Sequence, residues 1–312
     1  MPPSFIGMDG PRILALSFEI PPGEPGHIST RIHLVAYDPV ADRWTDRGPL
    51  DARIGPMRLN GAIADAVVLD GDLYWFGSVE MGSAWDLAAW RLDGRTLQGA
   101  VEGHGPGLPA GVHPVRGGDG RIYLLETPSR GTEEQGPQVL RIYDPSTDRW
   151  VDAPPIPTAR SDALIAADPG GGIYVIGGTT VPVSPWPTEF TSEFLRNVER
   201  YDPSTDAWTT VTDTPFDLGG FSAATVASDG AVYVVGLEQP PESPTLELRL
   251  HRFDPLTGTW SMLDVPPEPM TPAALYATED GRLILFGAQA RNAPWQWHLG
   301  DTPVVWVRDL TE

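Results

Sequence analysis

The sequence predicts an all-β protein assembled from copies of one four-stranded unit, and three observations predict it. A phrase recurs along the chain: YDPVADRW at 37–44, YDPSTDRW at 143–150, YDPSTDAW at 201–208 and FDPLTGTW at 253–260. Each copy is followed by a turn and a short apolar run, and no stretch has helical periodicity. Among the 312 residues, 34 glycines and 34 prolines punctuate these runs in the manner of short strands joined by turns. A fixed period is the mark of a repeat architecture.

Aligned on their aspartates, the copies fall at Asp38, Asp93, Asp144, Asp202, Asp254 and Asp309, 51–58 residues apart. The second, RLDGRTL, is degenerate, and the last, WVRDLTE, reaches the C-terminus. Six apolar runs keep step with them: ILALSF (13–18), LYWFG (73–77), IYLL (122–125), IYVIG (173–177), VYVVG (232–236) and LILFG (283–287). A turn signal precedes each run, at Asp9-Gly10, Asp70-Gly71, Asp119-Gly120, Gly170-Gly171-Gly172, Asp229-Gly230 and Asp280-Gly281, where glycine tolerates the positive φ of a tight hairpin. Each unit therefore reads as strand a, a two-residue turn, strand b, a long connection, strand c ending at Tyr-Asp-Pro, a turn, and strand d carrying Trp.

The arginine near the start of strand a (Arg58, Arg160), the Asp-Gly turn, the apolar b strand ending in glycine, the Tyr-Asp-Pro and the late Trp together resemble the kelch repeat, at its length of about fifty residues. The resemblance covers essentially the whole chain. It implies a β-propeller, one four-stranded blade per repeat around a central channel, and it is silent about activity. Two departures stand out: the double glycine of the pattern occurs once, at Gly177-Gly178, and only five repeats have a d strand. We expect a six-bladed propeller with blades at approximately 1–48, 49–105, 106–155, 156–214, 215–266 and 267–312. The N-terminal PPSFIGM supplies the first a strand, and the last blade lacks its outermost strand.

A net charge of −21 disfavours nucleic acid and anionic membranes as partners, because both need a basic surface. All 21 basic residues are arginine, which excludes side-chain Schiff-base chemistry and a P-loop lysine. With no cysteine there is no thiolate nucleophile, disulfide or cysteine-ligated metal, nor the Cys-Tyr copper site of the galactose-oxidase branch of kelch proteins. The six histidines show no metal-binding spacing, so neither a metal nor a cofactor is expected. The N-terminus lacks a basic n-region and no run reaches membrane-spanning length, so the cytoplasm is the expected compartment.

Both kinds of short turn fall on one rim of such a ring, and the b-to-c and d-to-a connections fall on the other, where binding residues concentrate. Four of the eleven tryptophans, Trp85, Trp186, Trp295 and Trp297, are assigned to that rim, to stack on a ligand or pin their own loops. Trp44, Trp150, Trp208 and Trp260 at the d position, with Trp75, Trp90 and Trp306, read as packing between blades. Glu126 stands where four repeats end strand b in glycine, and desolvation there would raise its pKa toward that of a general acid or base. His113, in the same blade, is its expected proton-transfer partner. Arg58 and Arg160 offer planar forks for an anionic group, or a salt bridge between blades, and Asn60 and Asp162 point the same way by strand alternation. Two functions fit: a cofactor-free acid–base enzyme (isomerase, lyase or cyclase type) acting on a small carbonyl, sugar-like or isoprenoid-like ligand, and an interaction module that offers the same rim to a protein partner.

Overall fold

The computed structural model describes residues 4–19, 31–49, 66–81, 84–92, 99–105, 112–126, 137–180, 193–218, 222–238, 246–266, 270–289 and 303–310, within which every regular element is a strand. Sheet one consists of β1 (Ser4–Asp9), β2 (Arg12–Glu19), β3 (Arg31–Asp38) and β4 (Arg43–Pro49). Sheet two has β5 (Ala66–Leu69), β6 (Asp72–Met81), β7 (Ala84–Leu92) and β8 (Gly99–Gly105). Sheet three has β9 (Val112–Arg116), β10 (Ile122–Glu126), β11 (Leu140–Asp144) and β12 (Arg149–Asp152). Sheet four has β13 (Leu164–Ala167), β14 (Ile173–Ile176), β15 (Asn197–Asp202) and β16 (Ala207–Asp213). Sheet five has β17 (Ser222–Val226), β18 (Val232–Glu238), β19 (Glu247–Asp254) and β20 (Thr259–Leu263). Sheet six has, among the described residues, three strands, β21 (Met270–Ala277), β22 (Arg282–Gln289) and β23 (Pro303–Asp309).

Every sheet is an antiparallel meander in chain order. The first strands are neighbours in succession, β1 to β5, β9, β13, β17 and β21, and β21 lies beside β1 again. The sheets therefore surround a common axis in a propeller. β1 pairs with β2, so the N-terminal strand belongs to sheet one.

Alternation along each strand sends one set of side chains toward the preceding sheet and the other toward the following one. Leu124 and Ile122 of β10 join Val67, Tyr74 and Phe76 of sheet two, while Tyr123 and Leu125 join Ile173, Val175 and Tyr201 of sheet four. Tryptophans fill the outer part of each described seam. Trp150 packs between sheets two and three, Trp208 between three and four, Trp260 between four and five, Trp306 between five and six, and Trp44 between six and one. These five meet the sequence expectation. The side chains of Trp75 and Trp90 lie outside the described residues.

The recurring phrase is a turn that satisfies itself. The aromatic residue before each aspartate pairs across the ladder with the Trp, with ring centroids 5.1 Å apart for Tyr37–Trp44, 4.9 Å for Tyr143–Trp150, 5.4 Å for Tyr201–Trp208 and 5.1 Å for Phe253–Trp260. The aspartate Oδ1 accepts from backbone N–H groups two or three residues on, as an Asx turn does. The turn ends in a left-handed residue, Asp42, Asp148 or Asp206 at φ 47–51°, whose carboxylate accepts the tyrosine hydroxyl at 2.7–3.0 Å. In the fourth copy the hydroxyl and the carboxylate are lost together: Phe253 replaces tyrosine and Gly258, at φ 69°, replaces aspartate. Tyr143→Phe should therefore destabilise by ~1 kcal/mol, and by close to nothing in an Asp148→Gly background, as read from urea unfolding of the four members of the cycle.

The same turns set an acid dependence. The Ser204 hydroxyl and amide hold Asp202 below the usual carboxylate range, the Ser146 hydroxyl does so for Asp144, and the Ala41 and Leu256 amides do so for Asp38 and Asp254. A pKa lowered by folding means that the native state binds fewer protons. The stabilisation is thus present above about pH 4 and lost as pH falls through the lower native values. Melting temperature should fall with decreasing pH in that window, and Asp202→Asn should flatten part of the slope.

Four of the six a-to-b turns are wider than the expected two residues. Asp168 N–H reaches Gly172 O at 2.8 Å and Gly171 N–H reaches Asp168 O at 2.9 Å, with equivalents at Gly117–Arg121, Ala227–Ala231 and Thr278–Arg282. Two-residue turns occur at Gly10-Pro11 and Asp70-Gly71. The b-to-c connection of sheet two, to which Trp85 is assigned above, is instead a hairpin with residues 82–83 between strands, so Trp85 is a strand position paired with Glu80. Glu19 and Glu238 are the last residues of β2 and β18.

Candidate functional site

The two rims are built from different connections. On the short-turn rim every sheet contributes an aspartate from its a-to-b turn to an arginine: Asp9–Arg47 at 3.2 Å, Asp70–Arg116 at 3.3 Å, Asp119–Arg121 at 2.5 Å, Asp168–Arg200 at 2.8 Å, Asp229–Arg252 at 3.4 Å, and Asp280–Arg282. Burial opposes the Asp119 charge, yet hydrogen bonds from Tyr123 and Arg121 prevail and hold its pKa down. This rim is a belt of paired charges. The opposite rim receives the ends of the b strands, the starts of the a strands and the longer connections, 20–30, 127–139, 177–196, 239–246 and 290–302 among them.

Arg160 sits where the a strand of blade four begins, and it faces inward. Its side chain has no exposed surface. Nε donates to Thr158 O at 3.0 Å, Nη1 to Gly177 O at 3.0 Å and Asn197 O at 2.9 Å, and Nη2 to Glu199 Oε2 at 2.6 Å. Glu199 Oε1 accepts in turn from Thr158 at 2.8 Å and Asn197 at 3.1 Å. Desolvation pulls the arginine's pKa down and Glu199 opposes it. Gln138 of sheet three exchanges two bonds with the Arg160 backbone, at 2.8 and 3.0 Å, and so ties the neighbouring blades. The arginine is thus a structural hub inside blade four, neither an exposed anion clamp nor an ion pair between blades.

The double glycine belongs to the same hub. Gly177 offers its carbonyl to Arg160, and Gly178, at φ 97°, passes so close to the next strand that a Cβ would lie 2.5 Å from Ser161 O. Asp162, expected to point with Arg160, does not: it is exposed at φ 56° while Arg160 is buried, because β13 starts only at Leu164 and alternation has not begun.

The pairing of β9 with β10 sets His113 opposite Leu125 and Glu126 opposite Val112. The two expected proton-transfer positions therefore lie one step out of register, on opposite pleats of the sheet. Position 113 shares its pleat with Val115, which packs toward sheet four, and position 126 shares its pleat with Leu124, which packs toward sheet two. The side chains of His113, Glu126 and Trp85 lie outside the described residues, as do Arg58, Asn60, Trp186, Trp295 and Trp297 entirely.

Among the described residues the fold brings together two histidine–carboxylate pairs, His33 Nδ1 with Asp46 Oδ2 at 2.9 Å and His251 Nε2 with Glu238 Oε1 at 2.6 Å, the second with Phe216 stacked on the imidazole at 3.9 Å. His251 stands three residues before Asp254, as Glu199 stands three before Asp202. This position in strand c is buried, so an ionisable side chain there acquires a partner.

The sheet of β21–β23 replaces one contact by another. Trp208 Nε1 donates to Pro154 O at 2.8 Å, and Pro154 follows Trp150 by four residues. The equivalent carbonyl of sheet five, Asp264 O, accepts from Arg308 Nη1 at 3.1 Å. Arg308 occupies the place of the phrase's aromatic residue, immediately before Asp309.

Comparison with known proteins agrees with this anatomy. The Kelch motif family matches residues 169–215, which include β14, β15 and β16 of the blade that keeps the double glycine. Kelch-like protein terF of Aspergillus terreus is 29% identical over 170 residues, 53% of this chain and 36% of that protein. Kelch-like protein 25 of Xenopus tropicalis is 27% identical over 149 residues, 48% of this chain and 24% of the relative. Kelch repeat and BTB domain-containing protein 12 of Danio rerio is 27% identical over 158 residues, 49% of this chain and 17% of the relative. The matched stretch spans well under half the length of each of these relatives. Together with the sheets and their turns, the matches make this chain similar to kelch-repeat proteins, and its fold is an all-β propeller of kelch type.

Proposed function

We propose that the chain is a six-bladed recognition scaffold, its last blade three-stranded, that engages a protein partner through the rim bearing the long connections. One observation carries the reading: short turns, each with an aspartate–arginine pair, close one rim, whereas the long connections, the segments suited to recognition, fall on the other. The kelch-like and kelch–BTB relatives support it, being named for the same repeat within longer proteins. Trp186, Trp295 and Trp297, with Arg58, Asn60 and exposed Asp162, are the proposed contact residues, since aromatic and arginine side chains dominate interface energetics. An acid–base site at Glu126 and His113 has less support, because the two positions do not share a face.

The test places a photo-crosslinking amino acid at position 186 or 297, and at position 204 of the short-turn rim as control, in cells that make the protein naturally. A discrete protein adduct is expected from 186 and 297 but not 204, and Trp295→Ala should remove the adduct at 297. Equal adducts from both rims, or none from the long-connection rim, overturn the proposal.

A further inference from the structure

Sheet six ends on β23, and among the described residues nothing lies along its outer edge, whereas in each of the other five sheets the corresponding c strand is covered by a d strand. The edge is well suited to pairing. Pro-Val-Val-Trp-Val-Arg-Asp is β-branched and aromatic, it has none of the lysines by which edge strands are usually blunted, and Val307 is 39% exposed. Trp306 is only partly buried, packed on the cluster that joins sheets five and six.

The same chain shows what chemistry seats on such an edge. In four of its sheets the covering strand carries a Trp directly opposite the residue that precedes the aspartate: Trp44 opposite Tyr37, Trp150 opposite Tyr143, Trp208 opposite Tyr201 and Trp260 opposite Phe253. On β23 that residue is Arg308. An aromatic ring arriving opposite a guanidinium gains a cation–π contact in place of the ring–ring contact of the other blades. A second copy of the chain is the poorer occupant, because two molecules of net charge −21 repel each other.

We propose that the outer edge of β23 binds an extended segment of a partner protein by antiparallel strand addition, the segment carrying a tryptophan or tyrosine opposite Arg308 and a neutral or positive net charge. This surface is separate from the long-connection rim. Main-chain bonds supply affinity and the aromatic anchor supplies register.

The probe is a fluorescein-labelled peptide, RWTTVT, patterned on β16 and titrated against the whole protein. Saturable binding is expected. It should weaken by at least about tenfold on Val307→Lys, which puts a gatekeeper charge on an exposed edge position without touching the core, and on replacing the peptide's tryptophan with alanine. Trp297→Ala should leave it unchanged. Thermal melting of the Val307→Lys variant, expected to match the parent protein, shows that the loss is local. The proposal is overturned by absence of binding, by binding indifferent to Val307→Lys, by hydrogen exchange showing every β23 amide already protected in the protein alone, or by a dimer in sedimentation that Val307→Lys dissolves.

Discussion

Arg160→Met is expected to lower the unfolding free energy by about 3–5 kcal/mol, the usual result of stranding one partner of a buried ion pair. The expectation rests on what is left behind. Glu199, 1% exposed, would keep Thr158 and Asn197 but lose its charged partner Arg160, and the carbonyls of Gly177, Asn197 and Thr158 would lose the guanidinium as donor. Arg160→Met combined with Glu199→Leu should recover much of the loss, because two apolar side chains need no partner. Denaturant unfolding of the two variants measures the difference. Equal instability of single and double variants would show that the hub acts through its backbone contacts instead.

Gly178→Ala comes next, at about 3–4 kcal/mol, from two causes that can be separated. A side chain at φ 97° is strained by roughly 1–3 kcal/mol, and forcing a methyl into a filled space adds a similar amount. The space cannot open easily, since Ser161 and Thr179 hold each other through reciprocal backbone bonds of 2.9 and 2.8 Å. Gly171→Ala is the control: φ there is 93°, but a Cβ meets nothing within 4 Å. It should show the strain alone. If the two variants melt together, the contact with Ser161 contributes nothing.

These positions mark where sequence reasoning works on this chain and where it stops. The strand order and the seam tryptophans were legible because the phrase from Tyr to Trp closes through bonds between residues two to five apart. Loop length was less so. Periodicity counts repeats but does not say that β6 and β7 run on until two residues separate them, and Trp85 was assigned to a loop for that reason. Alternation failed at Arg160 and Asp162 because it holds only inside a strand, and these residues precede one. His113 and Glu126 were joined by proximity in the repeat, whereas a register offset by one residue sends neighbours apart. Glu199 is not legible, because its neighbour in sequence, Arg200, pairs with Asp168 while its own partner, Arg160, lies 39 residues away.

The contact between the first and last sheets is of a different kind from the contacts within a blade. Ile13, Tyr37 and Trp44 meet Ile284 and Phe286 there, and β1 and β21 lie in separate sheets with no ladder between them. Cohesion at that junction comes from water's exclusion from apolar surface, a force that fades on chilling while hydrogen-bonded pairing persists. The molecule should accordingly part first along this line in the cold, opening from a closed annulus into an arc whose individual blades remain folded.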